Sequence, residues 1–410
     1  MQDSIRIGKQ KVDAAAHEML GLTSLLETYG NTKPLIDVAL LVCITPTPET
    51  GVFLLTLQGL GAKIAACSDN AFAADDDVVS YVRDQGIAIY AKSNMSKDEY
   101  FESMERAISD VKDENVLQII DDGCDITQYI AEHHSCLFDK TRLITEQTTC
   151  GINFLKRLFT DNRVNAPAIN INHCFTKQWF DNNIGIQQSL IHALTNAGIS
   201  IPGKSITIFG YGPIGQGAAQ ALRSSGAKVS IVEPSIIALM QAEMAGYTPI
   251  SAKKALQISD LCLTATGCID TISIEMLDAH ARSGIMLGNI GHGTSEYPVA
   301  YLEETATKVT LNTHVDTFTL KDGRTIYSLC KGALVNFLAG GGNMPRVMGI
   351  TFTLTALAHL QAASAVERRE IGLHSLGRGL EVESAKRNFP HLIDILYPLQ
   401  DYQAEYLVQE

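Results

Sequence analysis

Three groups of residues in this chain have types and spacings suited to chemistry. Gly210-Tyr211-Gly212-Pro213-Ile214-Gly215 follows an apolar run and opens an Ala-rich segment, and Glu233 stands 23 residues after Gly210. The first Gly permits a tight turn, the second lets backbone amides approach a pyrophosphate at a helix N-terminus, and the third allows close packing. Glu233 is placed to hold a ribose diol, and its charge would repel a 2'-phosphate, so the pattern points to NAD rather than NADP. Asp121-Asp122-Gly123 ends another apolar run, where open sheets bind ligands, although Asp122 and Asp125 would equally serve to cap a following helix. Lys177 and Asp181 are spaced i, i+4, which suits an exposed helical ion pair as well as a proton-transfer pair, and His292 reads as a loop histidine.

Such residues need strands behind them, and the hydrophobic pattern supplies two sets. Apolar runs at 36–44, 63–67, 87–90 and 116–120 alternate with helix-length segments that begin near Glu49 and Asp75. Runs at 205–209, 228–232, 261–264 and 285–290 repeat the alternation. Alternating β and α implies parallel sheets covered by helices. The predicted fold is α/β, with two doubly wound parallel-sheet domains, the second a Rossmann NAD-binding domain. Residues 1–182 and 346–390 are assigned to a substrate-binding domain, 183–345 to the NAD-binding domain and 391–410 to a C-terminal tail. Hinges are placed near Asn182 to Gly185 and at Gly340-Gly341-Gly342. The first thirty residues read as one amphipathic helix, and a helix over 347–370 as packing back on the first domain.

Composition narrows the function. A chain of 410 residues, 46% apolar and 19% charged, can bury two cores. A net charge of -13 without any basic cluster repels a phosphate backbone, which argues against nucleic acid. The longest apolar run is interrupted by Asp37 and is about half the length that spans a bilayer, so no membrane partner is expected. The N-terminus lacks the basic start and apolar core of a signal peptide. Nine scattered cysteines, never spaced Cys-x-x-Cys, suggest neither a disulfide framework nor a metal site and fit a reducing, cytoplasmic location.

Longer motifs carry a resemblance. The Gly210 motif runs on through Gly217-Ala218-Ala219-Gln220-Ala221-Leu222-Arg223 to Thr266-Gly267-Cys268-Ile269-Asp270 and Asn289-Ile290-Gly291-His292. The first half has Thr45-Pro46-Thr47-Pro48-Glu49-Thr50, Asp121-Asp122-Gly123-Cys124-Asp125 and Thr176-Lys177-Gln178-Trp179-Phe180-Asp181-Asn182. In this order the motifs resemble those of the S-adenosylhomocysteine hydrolase family over nearly the whole chain. The resemblance implies a bound NAD that oxidises a nucleoside's 3'-hydroxyl, so that the C4' hydrogen becomes acidic and a 5' substituent can be eliminated. It implies that Lys177 and Asp181 serve the ribose hydroxyls and the C4' proton, that Asn182 bridges to the nicotinamide, and that Asp122 acts at the 5' side with His292. Thr45, Thr47, Glu49, Gln147, Asn343 and Met348 would line the substrate. Gly210, Gly212, Ile214, Gly215, Glu233, Thr148, Thr149, Thr266, Asn289 and Asn336 would hold NAD. A homodimer or homotetramer is also implied, with no metal.

Departures from the family pattern concentrate at the substrate. Thr45 stands where the family has His, Gln147 where it has a second Glu, and Gly342-Asn343-Met344-Pro345 where it has Gly-His-Pro-Ser. Ile186 replaces a Cys of many members, Ala73 a usual Ser, and the sequence ends at Glu410 without the Lys and Tyr tail that in many members reaches a neighbouring protomer's NAD. Retention of Lys177, Asp181, Asn182 and His292 beside two lost histidines suggests preserved 3'-oxidation with altered 5' chemistry, as in a dehydratase or lyase. Two alternatives stay open: a true hydrolase giving adenosine and homocysteine, and an inactive NAD-binding regulator.

Overall fold

A computed structural model describes residues 2–293, 295–401 and 403. One sheet has seven strands in the order Gly372–Ser375, Pro167–Asn170, Thr141–Glu146, Leu117–Asp121, Ala39–Cys43, Lys63–Cys67, Ala88–Tyr90, all parallel. Ala39–Cys43 and Leu117–Asp121 are buried at every position, as strands covered by helices on both faces must be. The second sheet runs Thr307–Asn312, Val315–Thr319, Thr325–Leu329, Ile285–Asn289, Leu261–Thr264, Ser205–Phe209, Lys228–Val232, Thr248–Pro249. Both sheets reverse strand order beside their first strand, and the crevices at the carboxyl ends of those reversals lie next to Cys43/Asp121 and Phe209/Thr264. Two α/β domains, the second Rossmann-like, follow directly from this topology.

Three readings of the sequence need correction. The second sheet is only mostly parallel, since Thr307–Asn312, Val315–Thr319 and Thr325–Leu329 form antiparallel pairs. Thr307–Asn312 is exposed throughout and alternates polar with apolar residues, an edge strand that periodicity hides. The opening segment forms two helices, Gln2–Ala16 and Leu20–Tyr29, because its apolar faces serve different neighbours. Gly8 meets Asp77 of the helix Asp76–Asp84, whereas Gly21 meets Asn388 of the helix Arg378–Asn388. The helix read over 347–370 spans Pro345–Ser364, stopping before the charged stretch Glu367-Arg368-Arg369-Glu370. It does pack on the first domain, with Phe352 stacked on Phe53 at 4.5 Å. Its length and hydropathy would suit a membrane span, but 72% of its apolar window is buried inside the protein, which makes it a core helix.

Candidate active site

Thr45, Asp69, Asp122 and Glu146 each end or closely follow a strand of the first sheet, so the parallel register gathers them at one edge. Asp121 turns back and its Oδ2 accepts from the Thr127 amide at 2.8 Å at the start of the helix Asp125–His133. Asp125 accepts from Tyr100 Oη at 2.6 Å. The cap expected of Asp122 or Asp125 is thus made by Asp121, and the half-buried Asp122 carboxylate lacks a hydrogen bond among the described residues. Burial pushes Asp122 up to about 6, against the pull of Lys177 and with a push from Asp181. Thr45 Oγ1 donates to Asp69 Oδ1 at 2.7 Å, and burial, then Asp122, raises Asp69 well above the usual carboxylate range. Buried Glu146 fixes the loop: its carboxylate accepts from Gly123 N at 3.0 Å, Cys124 N at 2.8 Å, and Thr148 N and Oγ1 at 2.8 Å.

Facing this edge is a π-helical turn, Lys177–Gly185, of the kind that often marks a functional site. Its wider winding buries a pair that an ordinary surface helix would expose. Lys177 Nζ donates to Asp181 Oδ2 at 2.6 Å and Asn182 Oδ1 at 3.1 Å, with the Lys177 and Asp181 side chains 9% and 5% exposed. The exposed ion pair of the sequence reading is therefore excluded. Asp181 also accepts from Thr351 Oγ1 at 2.9 Å and Asn343 Nδ2 at 2.7 Å, so the Asn in the family's His position braces a catalytic candidate. Asn182 Nδ2 donates to Asn172 Oδ1, and Asn172 in turn donates to Thr149 Oγ1, both at 3.0 Å.

The second domain closes the cavity. Gly210 has φ +102°, and a Cβ on Gly215 would overlap the Gly210 carbonyl, so the turn needs glycine at both places. Open space lies beside Gly212, the residue before the helix Pro213–Ser224. Glu233 accepts from Tyr211 N at 2.7 Å and Ser235 N at 2.9 Å, which sets its carboxylate at the glycine loop. Buried Glu296 accepts from Thr266 N and Oγ1, Gly267 N and His292 N between 2.7 and 3.1 Å, binding two loops together. His292 crosses to the first domain, where its Nε2 lies 2.8 Å from the place a Cβ on Gly123 would occupy. Burial, opposed by Glu296, lowers its pKa, so the imidazole is neutral at pH 7.

The result is a cavity of about 110 Å³ between the domains. Asp122, Lys177, Asp181, Asn182 and His292 all line it, as do Thr45, Thr47, Gln147, Asn343 and Met348. Among the residues expected at NAD, Thr148, Ile214 and Asn336 reach it. Glu49 is buried in the first turn of Pro48–Gly59 without lining it, and Thr266 faces a neighbouring cavity. Asn289, expected at NAD, is fully buried; it donates to the Gly293 and Gly332 carbonyls and accepts from Gly291 N, which makes it a brace for the His292 loop. Asp69, Asn172, Glu296 and Thr351 join the site without a sequence expectation. Asp69 carries the same signal as Asp122, an acid just past a strand; the other three touch the site only through side-chain contacts that spacing does not reveal.

Residues 3–140 match the family described as S-adenosyl-L-homocysteine hydrolase, and residues 182–342 match the NAD binding domain of S-adenosyl-L-homocysteine hydrolase. The chain belongs to the S-adenosyl-L-homocysteine hydrolase family. Among solved structures it is similar to a dipicolinate synthase polypeptide of Bacillus halodurans, with 14% identity, 81% of this chain and 100% of that one covered, and a TM-score of 0.48. Dipicolinate synthase of Bacillus subtilis has 11% identity, covering 80% and 98%, at 0.43. Transhydrogenase of Sinorhizobium meliloti has 12%, covering 79% and 92%, at 0.39. As in its family, NAD is the cofactor, and the residues fit it: the Gly210–Gly215 turn leaves a helix N-terminus open, Glu233 sits at the loop, and Asn336 Oδ1 is buried without a partner among the described residues. Glu233→Ala should weaken NAD binding about tenfold or more and narrow its preference over NADP. Fluorescence titration with both dinucleotides tests this, and an unchanged preference would remove Glu233 from the ribose site.

Proposed function

We propose that this NAD-dependent, adenosylhomocysteinase-like protein oxidises the 3'-hydroxyl of an adenosine-type nucleoside, eliminates its 5' substituent across C4'–C5' and then reduces the 3'-ketone with the same hydride, so that it acts, with no net redox change, as a dehydratase or lyase. One observation carries the reading: the buried Lys177–Asp181 pair, hydrogen-bonded to Asn182, shares its cavity with Asp122, which has no partner among the described residues, while the histidine positions 45 and 343 hold side chains committed to Asp69 and Asp181. NAD, when bound, supplies the hydride acceptor for such an oxidation. Lys177, oriented by Asp181 and Asn182, exchanges the hydroxyl proton, and Asp181 assists at C4'. Asp122, beside the neutral His292, gives a proton to the departing 5' group. A second reading, full hydrolysis of S-adenosylhomocysteine, is favoured by the family match over both domains. Mass spectrometry of products from S-adenosylhomocysteine, adenosine and 5'-substituted adenosines decides between them. An unsaturated nucleoside together with the released 5' group supports the elimination; adenosine together with homocysteine supports hydrolysis; no turnover refutes both.

The free cysteines fit a cytoplasmic protein, and the motif resemblance implies a homodimer or homotetramer.

Asp122 also predicts a pH profile. Its pKa near 6 keeps it protonated below that value and ionised above, so a step needing its proton slows as pH rises through about 6. Asp122→Asn should lose about a hundredfold in rate at pH 6 and flatten that limb, as measured by kcat from pH 5 to 8. An unchanged limb would assign it to another group.

A further inference from the structure

Thr45, Asp69 and Asp122 follow three adjacent strands of the first sheet, in which Cys43 is in register with Cys67 on one side and Asp121 on the other. Asp69 and Asp122 therefore flank Thr45, and all three line the cavity of about 110 Å³. Thr45, where the family has His, is buried; its carbonyl accepts from Thr50 Oγ1 at 2.8 Å and its hydroxyl donates to Asp69 Oδ1 at 2.7 Å. The loop that carries Asp69 is held as well, since Ser68 Oγ donates to the Asn70 carbonyl at 2.8 Å and Asn70 Oδ1 accepts from Phe72 N at 2.9 Å. Position 45 thus anchors a second carboxylate where the family carries an imidazole.

Of the other titratable groups around this carboxylate, Lys177 is bound to Asp181 at 2.6 Å, Tyr100 donates to Asp125 at 2.6 Å, and His292 is neutral. Arg157 and the thiols of Cys150 and Cys268 line the neighbouring cavity, outside the inner one. Among the described residues Asp69 forms no ion pair and bonds to no side chain but Thr45. Two carboxylates on one small cavity resist being ionised together, so their protons leave in two steps. Burial, then Asp122, holds Asp69 well above the usual carboxylate range, whereas burial takes Asp122 up to about 6. The proton that remains after Asp122 has ionised is on Asp69.

We propose that Asp69 is a second proton donor at the 5' side, holding one proton jointly with Asp122, and that the substrate is a nucleoside whose 5'-hydroxyl departs as water. The inference rests on the nucleoside reading above. In the 3'-ketone the C4'–H bond breaks toward Lys177 and Asp181, and its electron pair forms the C4'=C5' double bond. The C5'–O bond breaks as the oxygen takes the proton of the Asp69–Asp122 pair, which solvent water restores; no electron leaves the molecule in this step. Oxygen needs that help more than sulfur does, because water has a pKa of about 15.7 against about 8.5 for a thiol, which makes hydroxide the poorer leaving group.

The test is the pH dependence of single-turnover elimination by NAD-loaded wild type, Asp69→Asn and Asp69→Glu, with adenosine and 5'-methylthioadenosine as substrates and the unsaturated nucleoside followed by mass spectrometry from pH 5 to 8. On adenosine the wild-type rate should fall through about pH 6 and then level, because Asp69 keeps its proton. Asp69→Asn, whose amide oxygen can still accept from Thr45, should lose the level part and be slower than wild type by about tenfold or more at pH 8. Asp69→Glu should restore it in part. On the thioether the loss at pH 8 should be about threefold at most. Parallel adenosine profiles for wild type and Asp69→Asn, an equal loss on both substrates, or elimination from the thioether alone overturns the inference and leaves the nucleoside reading standing. No unsaturated nucleoside from either substrate in wild type refutes that reading and this inference with it.

Discussion

Lys177→Met will reduce turnover by about a thousandfold while NAD stays bound. Proton transfer by a positioned side chain contributes roughly 10²–10⁴ in rate, and Lys177 is the cation that Asp181 and Asn182 hold in the cavity. Methionine keeps the buried stem and removes the charge and the donors. The Asp181 carboxylate retains two donors, Thr351 Oγ1 and Asn343 Nδ2, so it is not left bare and the fold should survive at reduced stability. The measurement is single-turnover reduction of bound NAD by nucleoside, alongside the circular dichroism melt. A folded variant that reduces NAD within tenfold of wild type would take Lys177 out of the proton path. Asp181→Asn separates the two partners: it keeps the shape of the cluster, removes its negative charge and turns one N–H toward a donor, so its melt is read beside its rate.

Glu146→Gln is expected to cost about 2–4 kcal/mol in stability, more than most surface changes could. Four donors converge on the buried Glu146 carboxylate, three of them backbone amides. An amide replacement presents at least one N–H to those donors, so a donor meets a donor where water cannot enter. The loop Asp122–Cys124 would shift, and with it the contact between Gly123 and His292 that joins the two domains. Chemical denaturation gives the stability change. A loss below about 0.5 kcal/mol would show that the loop is held by other means. Glu296, with four donors of its own in the second domain, offers the same test on the other side of the cleft.

Much of the architecture is legible in the chain because it depends on local pattern. The strands Lys63–Cys67, Ser205–Phe209, Lys228–Val232 and Leu261–Thr264 coincide with apolar runs, since a strand covered on both faces must be apolar along its length. Thr141–Glu146 escapes that reading: it is buried at five of six positions yet mixes Thr, Arg and Glu with its aliphatics, because its last residue anchors a loop. The antiparallel edge strand Thr307–Asn312 escapes for the opposite reason, being exposed throughout.

By itself the sequence determined the two-domain α/β class, the glycine turn with its acid at the next strand's end, and the family. Those features are set by residue type at short range, where φ, packing distance and periodicity leave few alternatives. Only the tertiary structure decided which carboxylates are free. Asp121, Asp122 and Asp125 look interchangeable in the chain, but one holds a helix, one holds Tyr100, and one faces the cavity without a partner among the described residues. It also decided that Lys177 and Asp181 are buried and that Asn343 braces Asp181 across 162 residues of chain. A side chain's chemistry depends on what its polar atoms already touch, and those partners come from segments far apart in sequence that only folding brings into contact.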